Sequence, residues 1–405
     1  MLPYNQFIDI HCHPTMKPYG KSFRRNGTSR GQSPNPRNKT SLWNYDPPTI
    51  ADKLINNIAS LTKFRQSDFT SSVTGETGIM FVCLYPPEQG FFKTKLGNTL
   101  SDLALDLVTG LGKPRINYLQ ANCDYFKDLC NEYDFLISHQ SKIVRVKKKH
   151  VTYKILQSPA DLSQHTLLAD KTIFVVITIE GAHSFFTGWD AENKRPTDSD
   201  ANILANIDKV KSWEHRPLFI SLAHHFYNGL CGHSISMDKF LRKFIDQDYG
   251  TDFGITPLGG KVIHKLLDKD PKRVLIDVKH MNLKNRYRYY DILKNDYGRE
   301  NIPVIVSHGA VNGFKNDSGS TNFPDAPGLF YKRDINFYDD ELVRIARSGG
   351  LFGIQIDERR IASNIVIWGL KGKLRTRQIL FNWSKLVWNQ MEHIAKVLDK
   401  AGLPP

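Results

Sequence analysis

Seven short apolar segments rich in β-branched residues punctuate the chain: Phe7–His13, Gly78–Tyr85, Ile173–Glu180, Leu218–His225, Val274–His280, Val304–His308 and Leu351–Ile356. Most are continuous apolar runs rather than alternating ones, the pattern of strands buried on both faces of a parallel sheet. Between them the spacing turns helical. Leu258, Val262, Ile263, Leu266 and Leu267 share one helix face within Pro257–Lys269, and Ile379, Trp383, Leu386, Val387, Met391, Ile394 and Leu398 line a longer helix. Strands alternating with amphipathic helices predict βα units, hence an α/β fold with a TIM-like (β/α) barrel. Two inter-strand stretches are long. Pro14–Pro48, rich in Gly, Ser, Asn, Pro and Arg, reads as a loop or lid over one end. The stretch from Pro86 to Lys171 holds helical patterns around Leu100–Leu111 and Tyr118–Leu136, and a hairpin in which Val144, Val146 and Val151 alternate with Arg145, Lys147, Lys148 and Lys149. With no internal repeat or low-complexity tract, residues 1–405 read as one domain with insertions at about 14–48 and 86–170.

Composition changes this picture little. At 40% hydrophobic and 24% charged residues the chain has ample material for a core. The longest strongly apolar run, Ile173–Ile179, is far short of the roughly 20 residues that cross a bilayer. The opening MLPYNQFIDIHCH lacks the charged and apolar regions of a secretory signal. Five cysteines (Cys12, Cys83, Cys123, Cys130, Cys231) with no C-x-x-C pair argue against a disulfide framework or zinc knuckle, and cytoplasm is the expected compartment. The net charge of +14 permits a polyanionic partner, but the basic run around Arg145 has the alternation of a solvated hairpin, so nucleic acid is not the expected ligand.

Candidate chemistry gathers where the strands end. His11 and His13, Glu180, His224 and His225, His280, and His308 close five of the apolar segments. In a parallel barrel, strand C-termini converge on one centre, and imidazoles with a carboxylate there describe a divalent metal site, typically zinc. His11 and His13, two apart on a strand, share a face, with Cys12 on the opposite one. Asp9 shares the histidines' face and is read as structural.

At this point a resemblance becomes specific. IDIHCHP resembles the first-strand metal motif of the amidohydrolase superfamily. TIEGAHSF, SLAHHFYNGLCGHS, TPLGGKVIHKLLDKDPKRVLIDVKHMN and IPVIVSHGA resemble, in order, successive segments of the membrane dipeptidase family. The resemblance implies about two zinc ions, one on His11 and His13 and the other on His280 and His308, bridged by Glu180. It also implies that His224 contacts the substrate and steadies the oxyanion, while Arg333, in Lys332-Arg333-Asp334-Ile335, grips the substrate carboxylate. The implied activity is hydrolysis of a small amide, foremost a dipeptide, by metal-activated hydroxide. A homodimer is left open.

Two departures stand out. Well-studied members carry His-x-Asp on the first strand where this chain has His11-x-His13. The family's eighth strand, with an aspartate that ligates metal and takes the water proton, has no counterpart, so about seven of eight barrel strands are expected. Asp357 is a weak replacement, and His183, His225 and His233 are read as supporting groups rather than the general base. The chain is therefore read as a C-terminally truncated form of a longer enzyme. Two alternatives stay open: a TatD-like metal-dependent nuclease or phosphoesterase, which also begins Asp-x-His-x-His, and an impaired remnant that only binds ligand.

Overall fold

A computed structural model describes residues 6–50, 52, 67–92, 105–106, 109–163, 169–237, 241–243, 245–270, 272–370 and 376–404. Nine strands form its main sheet: β1 (Phe7–Cys12), β2 (Thr77–Leu84), β3 (Val144–Val146), β4 (Lys149–Ile155), β5 (Lys171–Ile179), β6 (Phe219–Ser221), β7 (Leu275–Asp277), β8 (Ile305–Gly309) and β9 (Leu351–Ile354). Seven run parallel in the order β1-β2-β5-β6-β7-β8-β9 and curl into a nearly closed barrel. All seven predicted strands are present.

Both faces of β2, β5, β6, β7 and β8 are largely buried, as their unbroken apolar runs require, whereas β1 and β9 are more exposed. Outward, Met80, Val82, Val175, Ile177, Ile220, Ile276 and Val306 pack with Ile203, Ile207, Val262, Ile263, Leu266, Leu342 and Ile345 of the surrounding helices. Inward, Ile79, Phe81, Phe174, Phe219 and Ile305 fill the barrel floor, joined by Ile10, Val176 and Leu275. One pleat further up each strand, the inward positions turn polar: Cys83, Thr178, Ser221, Asp277 and Ser307, all buried. Ser307 donates to Asp277 (Oγ to Oδ2, 2.6 Å), and the Gly181 N–H donates to Ser221 Oγ (2.8 Å).

The helices follow their sequence signals. The helix Pro257–Leu267 opens on Thr256, whose side chain accepts from the Gly259 N–H, with Pro at its first turn. The C-terminal helix spans Thr376–Lys400, and Tyr125–Ile137 begins on an Asp124 cap. The pattern around Leu100–Leu111 lies mostly outside the described residues. The basic hairpin is β3 and β4, antiparallel, with Val144, Val146 and Val151 buried and Arg145 and Lys147–149 exposed. In addition β4 pairs parallel with the first half of β5, an eighth parallel strand at the foot of the barrel.

The segment 14–48 departs from the lid reading. It is anchored in the core: Tyr19, Leu42 and Trp43 are buried, and Tyr19 donates to Asp128 (2.9 Å). Asp128 is held in turn by Arg115 through two bonds (2.7 and 2.5 Å). A buried ion pair of this kind fixes the segment against the helix Tyr125–Ile137.

Among the described residues β1 and β9 share no backbone ladder, and Phe7, Ile8 and Leu351 along these edges are exposed. Side chains close the seam instead. Ile10 lies over Gly353, where an added Cβ would fall 2.4 Å from Ile10 and 2.1 Å from the Ser307 carbonyl. The ring of His11 stacks on His308 at 4.0 Å. Gly353→Val should therefore spread the seam and lower stability by about 1–3 kcal/mol, read as a lower urea midpoint. An unchanged midpoint would mean that the seam is not closed in this way.

Candidate metal centre

Strand periodicity alone would send His11 and Ile10 to opposite sides of β1. The register with β2 slips instead: Asp9 pairs with Met80 but Cys12 with Val82, three residues against two. This bulge lets Ile10 face the floor while His11 and His13 face the centre, with Cys12 in the outer core. A second slip, between Val306 and Gly309 opposite Phe352 and Ile354, brings Ser307 and His308 inward together. His280 reaches the centre through a left-handed backbone (φ +68°), unusual for a residue with a side chain.

The result is a single buried carboxylate ringed by imidazoles. Glu180 lies 3.0 Å from His13, 3.2 Å from His280, 3.4 Å from His224, 3.5 Å from His11 and 3.7 Å from His308, each measured to Nε2. Burial alone would raise the Glu180 carboxyl, but the His224 and His11 charges and bonds from His11 and His13 hold it well below the usual carboxylate range. The imidazoles divide: Glu180 outweighs burial and raises His13, Glu180 with Glu88 does the same for His224, and His280 and His308 move down. Burial brings His280 down to about 3 against the pull of Glu180, and burial with the His11 charge pushes His308 well below its ordinary value. For His280 and His308, neutral imidazole beside an ionised carboxylate is the protonation state that cations need.

Several rings are fixed through their other nitrogen. His13 Nδ1 meets the Cys83 carbonyl at 3.0 Å, and His308 Nδ1 meets Ser307 Oγ at 2.7 Å. His224 Nδ1 lies 2.8 Å from Glu88, a buried carboxylate that also accepts from the Tyr85 hydroxyl (2.5 Å) and the His225 N–H (3.1 Å). Each arrangement turns Nε2 toward the centre.

The donor set fits divalent cations. His280 and His308 point Nε2 at Nε2 across 3.0 Å, and two such lone pairs repel unless a proton or cation lies between them. Ligand-capable atoms fall within 4.8 Å of one another in His11, His13, Cys83 and Glu180, in Glu180, His280 and His308, and in His224, His225 and His280. Imidazole with carboxylate oxygen suits zinc and its neighbours.

All the predicted metal-binding histidines, Glu180 and His224 thus converge. Arg333 does not join them. It is exposed, with its guanidinium 5.9 Å from the Tyr331 ring centre. Asp357 pairs with Arg359 (2.7 Å) and belongs to none of the donor groups found among the described residues. His233 is held by backbone carbonyls of Ser234 and Tyr249 (both 3.2 Å), and His183 by Pro86 (2.9 Å), so both serve the framework. Sequence reasoning missed Glu88 and Cys83. Glu88 sits on a loop with no periodicity to mark it, whereas Cys83 follows Ile79 and Phe81 by the strand period and was findable. The basic hairpin pairs with the N-terminal half of β5, so its charge gathers at the barrel end away from the cluster.

Fold and site together define a parallel βα-barrel with a histidine–glutamate centre at its strand C-termini. No family model and no curated protein matches the chain. Among solved structures it is similar to the probable dipeptidase PvdM from Pseudomonas aeruginosa, at 14% identity over 83% of this chain and 73% of that one, with a TM-score of 0.42. It is also similar to a metallo peptidase from Rhodobacter sphaeroides liganded with a phosphinate mimic of the dipeptide L-Ala-D-Ala (12% identity, 87% and 81% covered, TM-score 0.44). An amidohydrolase from Pseudomonas aeruginosa follows, at 14% identity with 80% and 64% covered and a TM-score of 0.37. These likenesses are distant, and the centre stands on its own geometry.

Glu132 offers a test of the frame around the centre. It joins the ends of β1 and β2, accepting from Thr15 Oγ1 (2.5 Å) and the Tyr85 N–H (2.8 Å). Burial raises it from 4.5 to about 7 against those two bonds. Between those values the folded chain keeps a proton that the unfolded chain has lost, so stability falls as pH rises through this window. The loss is on the order of 3 kcal/mol. Glu132→Gln should flatten the dependence of the urea midpoint on pH over that range. A variant with the parent's slope would contradict the assignment.

Proposed function

We propose that this protein is a metal-dependent hydrolase of small amides, with dipeptides as the first substrates to test. The observation that carries the reading is Glu180, a buried carboxylate encircled by five imidazole Nε2 atoms within 3.7 Å. In this reading His11 and His13 hold one ion, His280 and His308 hold a second, and Glu180 lies between them. Divalent cations, zinc by donor type, supply acidified water and a Lewis acid when bound.

The chain's own groups do the rest. Glu88 anchors His224 so that its Nε2 faces the centre, where it steadies negative charge gathering on the carbonyl oxygen. The buried walls keep bulk water from weakening that interaction. Arg333, exposed beside Tyr331, would meet the substrate carboxylate from the rim. The dipeptide preference rests on the segment resemblance from IDIHCHP to IPVIVSHGA and on Arg333.

Protein purified without chelators and dialysed against trace zinc should hold about two ions per chain and hydrolyse dipeptides. Glu180→Gln should lose metal by elemental analysis and at least about 100-fold in kcat/KM. Folded wild-type protein that binds no metal would sink the proposal. Arg333→Ala should raise KM about 10-fold or more for free dipeptides, with kcat and metal content nearly unchanged, and leave C-terminally amidated substrates unaffected. Equal losses on both substrate types would remove Arg333 from carboxylate binding.

A further inference from the structure

Cys83 has no role in the reading so far, yet it stands at the centre. It occupies the inward position of β2 one pleat above Phe81, between β1, which carries His11 and leads to His13, and β5, which leads to Glu180. We propose that the Cys83 thiolate is a ligand of the first metal ion, completing a four-donor set with His11, His13 and Glu180. The inference rests on the metal-centre reading above and adds a ligand to it.

The placement is specific. The four donor atoms, drawn from three neighbouring strand ends, lie within 4.8 Å of one another. Donors around tetrahedral zinc are on the order of 3.5 Å apart, so the set needs to draw in by about an ångström. His13 and Glu180 are already at 3.0 Å, and His11 and Glu180 at 3.5 Å. The same residue also aims His13, whose Nδ1 meets the Cys83 carbonyl at 3.0 Å. One strand position thus offers a donor and orients another.

The other cysteines give the contrast. Cys12 is buried in the outer core and turns its thiol toward the Phe81 carbonyl. Cys231 lies in the same outer core, and Cys123 and Cys130 are partly exposed near or on the helix Tyr125–Ile137. The Cys83 thiol makes only a weak contact with the adjacent Leu84 carbonyl, at 3.9 Å, and neighbours the Thr178 hydroxyl among the described residues. Left alone it is an inert small hydrophobe.

Charge favours the same assignment. Neutral imidazoles and one glutamate leave two dications with a net charge of about +3 in a buried pocket, and a thiolate brings it to about +2. On binding, the Sγ–H bond breaks, its proton passes to solvent, and the sulfur lone pair forms the bond to the ion. No electron is transferred. Sulfur in the donor set would also sharpen metal choice toward zinc or cobalt and away from magnesium and manganese.

The test uses the whole chain stripped of metal and reloaded with cobalt(II). Wild type and Cys12→Ser should show the intense near-ultraviolet thiolate-to-cobalt charge-transfer band. Cys83→Ser should lack it and retain about half the cobalt, on His280 and His308. Cobalt bound by wild type without the band, or a band that survives Cys83→Ser, overturns the proposal and leaves the metal-centre reading standing. Folded wild type that takes up no cobalt fails both. X-ray absorption on zinc-loaded wild type needs no variant. A sulfur shell at about 2.3 Å supports the ligand, and a shell of only nitrogen and oxygen rejects it.

Discussion

The structure depends on keeping one negative charge, Glu180, out of water. An isolated carboxylate in so buried a place would take up a proton, and here the surrounding imidazoles prevent it. Glu180 in turn raises His13 and His224, whereas burial keeps His280 and His308 below their ordinary value in spite of it. Carboxylate and rings therefore define one another's protonation. That interdependence explains why the residues come from so many strands. A barrel is the simplest way to bring five strand ends to one point without covering it with backbone.

Beneath this centre the interior is graded. Phe81, Phe174 and Phe219 make a floor that water does not enter, and the buried polar layer from Cys83 to Ser307 makes the passage from apolar to ionised. Asp277 shows the grading in detail. It is buried, its carboxyl is raised by burial, and it accepts from both the Ser307 hydroxyl and the Ser307 N–H, which fixes the residue next to His308. These bonds tie Asp277 and Ser307 together directly beneath the centre.

Much of this was legible in the chain. Continuous apolar runs marked all seven barrel strands, most of them covered on both faces, and His11, His13, Glu180, His224, His280 and His308, which the chain places at strand ends, come together in the structure. What escaped notice follows from the limits of periodicity. The bulges at Ile10 and Ser307 and the left-handed His280 break the two-residue repeat where the function sits, so the aim of those side chains could not be deduced from spacing. Glu88 acts across 136 positions of chain on His224, a contact that only the fold creates. The segment 14–48 looked like a lid because its composition is that of a loop. Tyr19, Leu42 and Trp43, few but fully buried, make it part of the wall.

The seam between β1 and β9 ties assembly to metal. With no shared ladder among the described residues, the two edges meet through Ile10 on Gly353, while His11 reaches past β9 to stack on His308 of β8. Amides along such edges exchange with solvent sooner than those of the doubly paired β2 and β5. Ions gripped by His11 and His13 on one bank and His308 on the other would act as a clasp. In that case loading the centre and keeping the barrel shut are linked equilibria, each favouring the other.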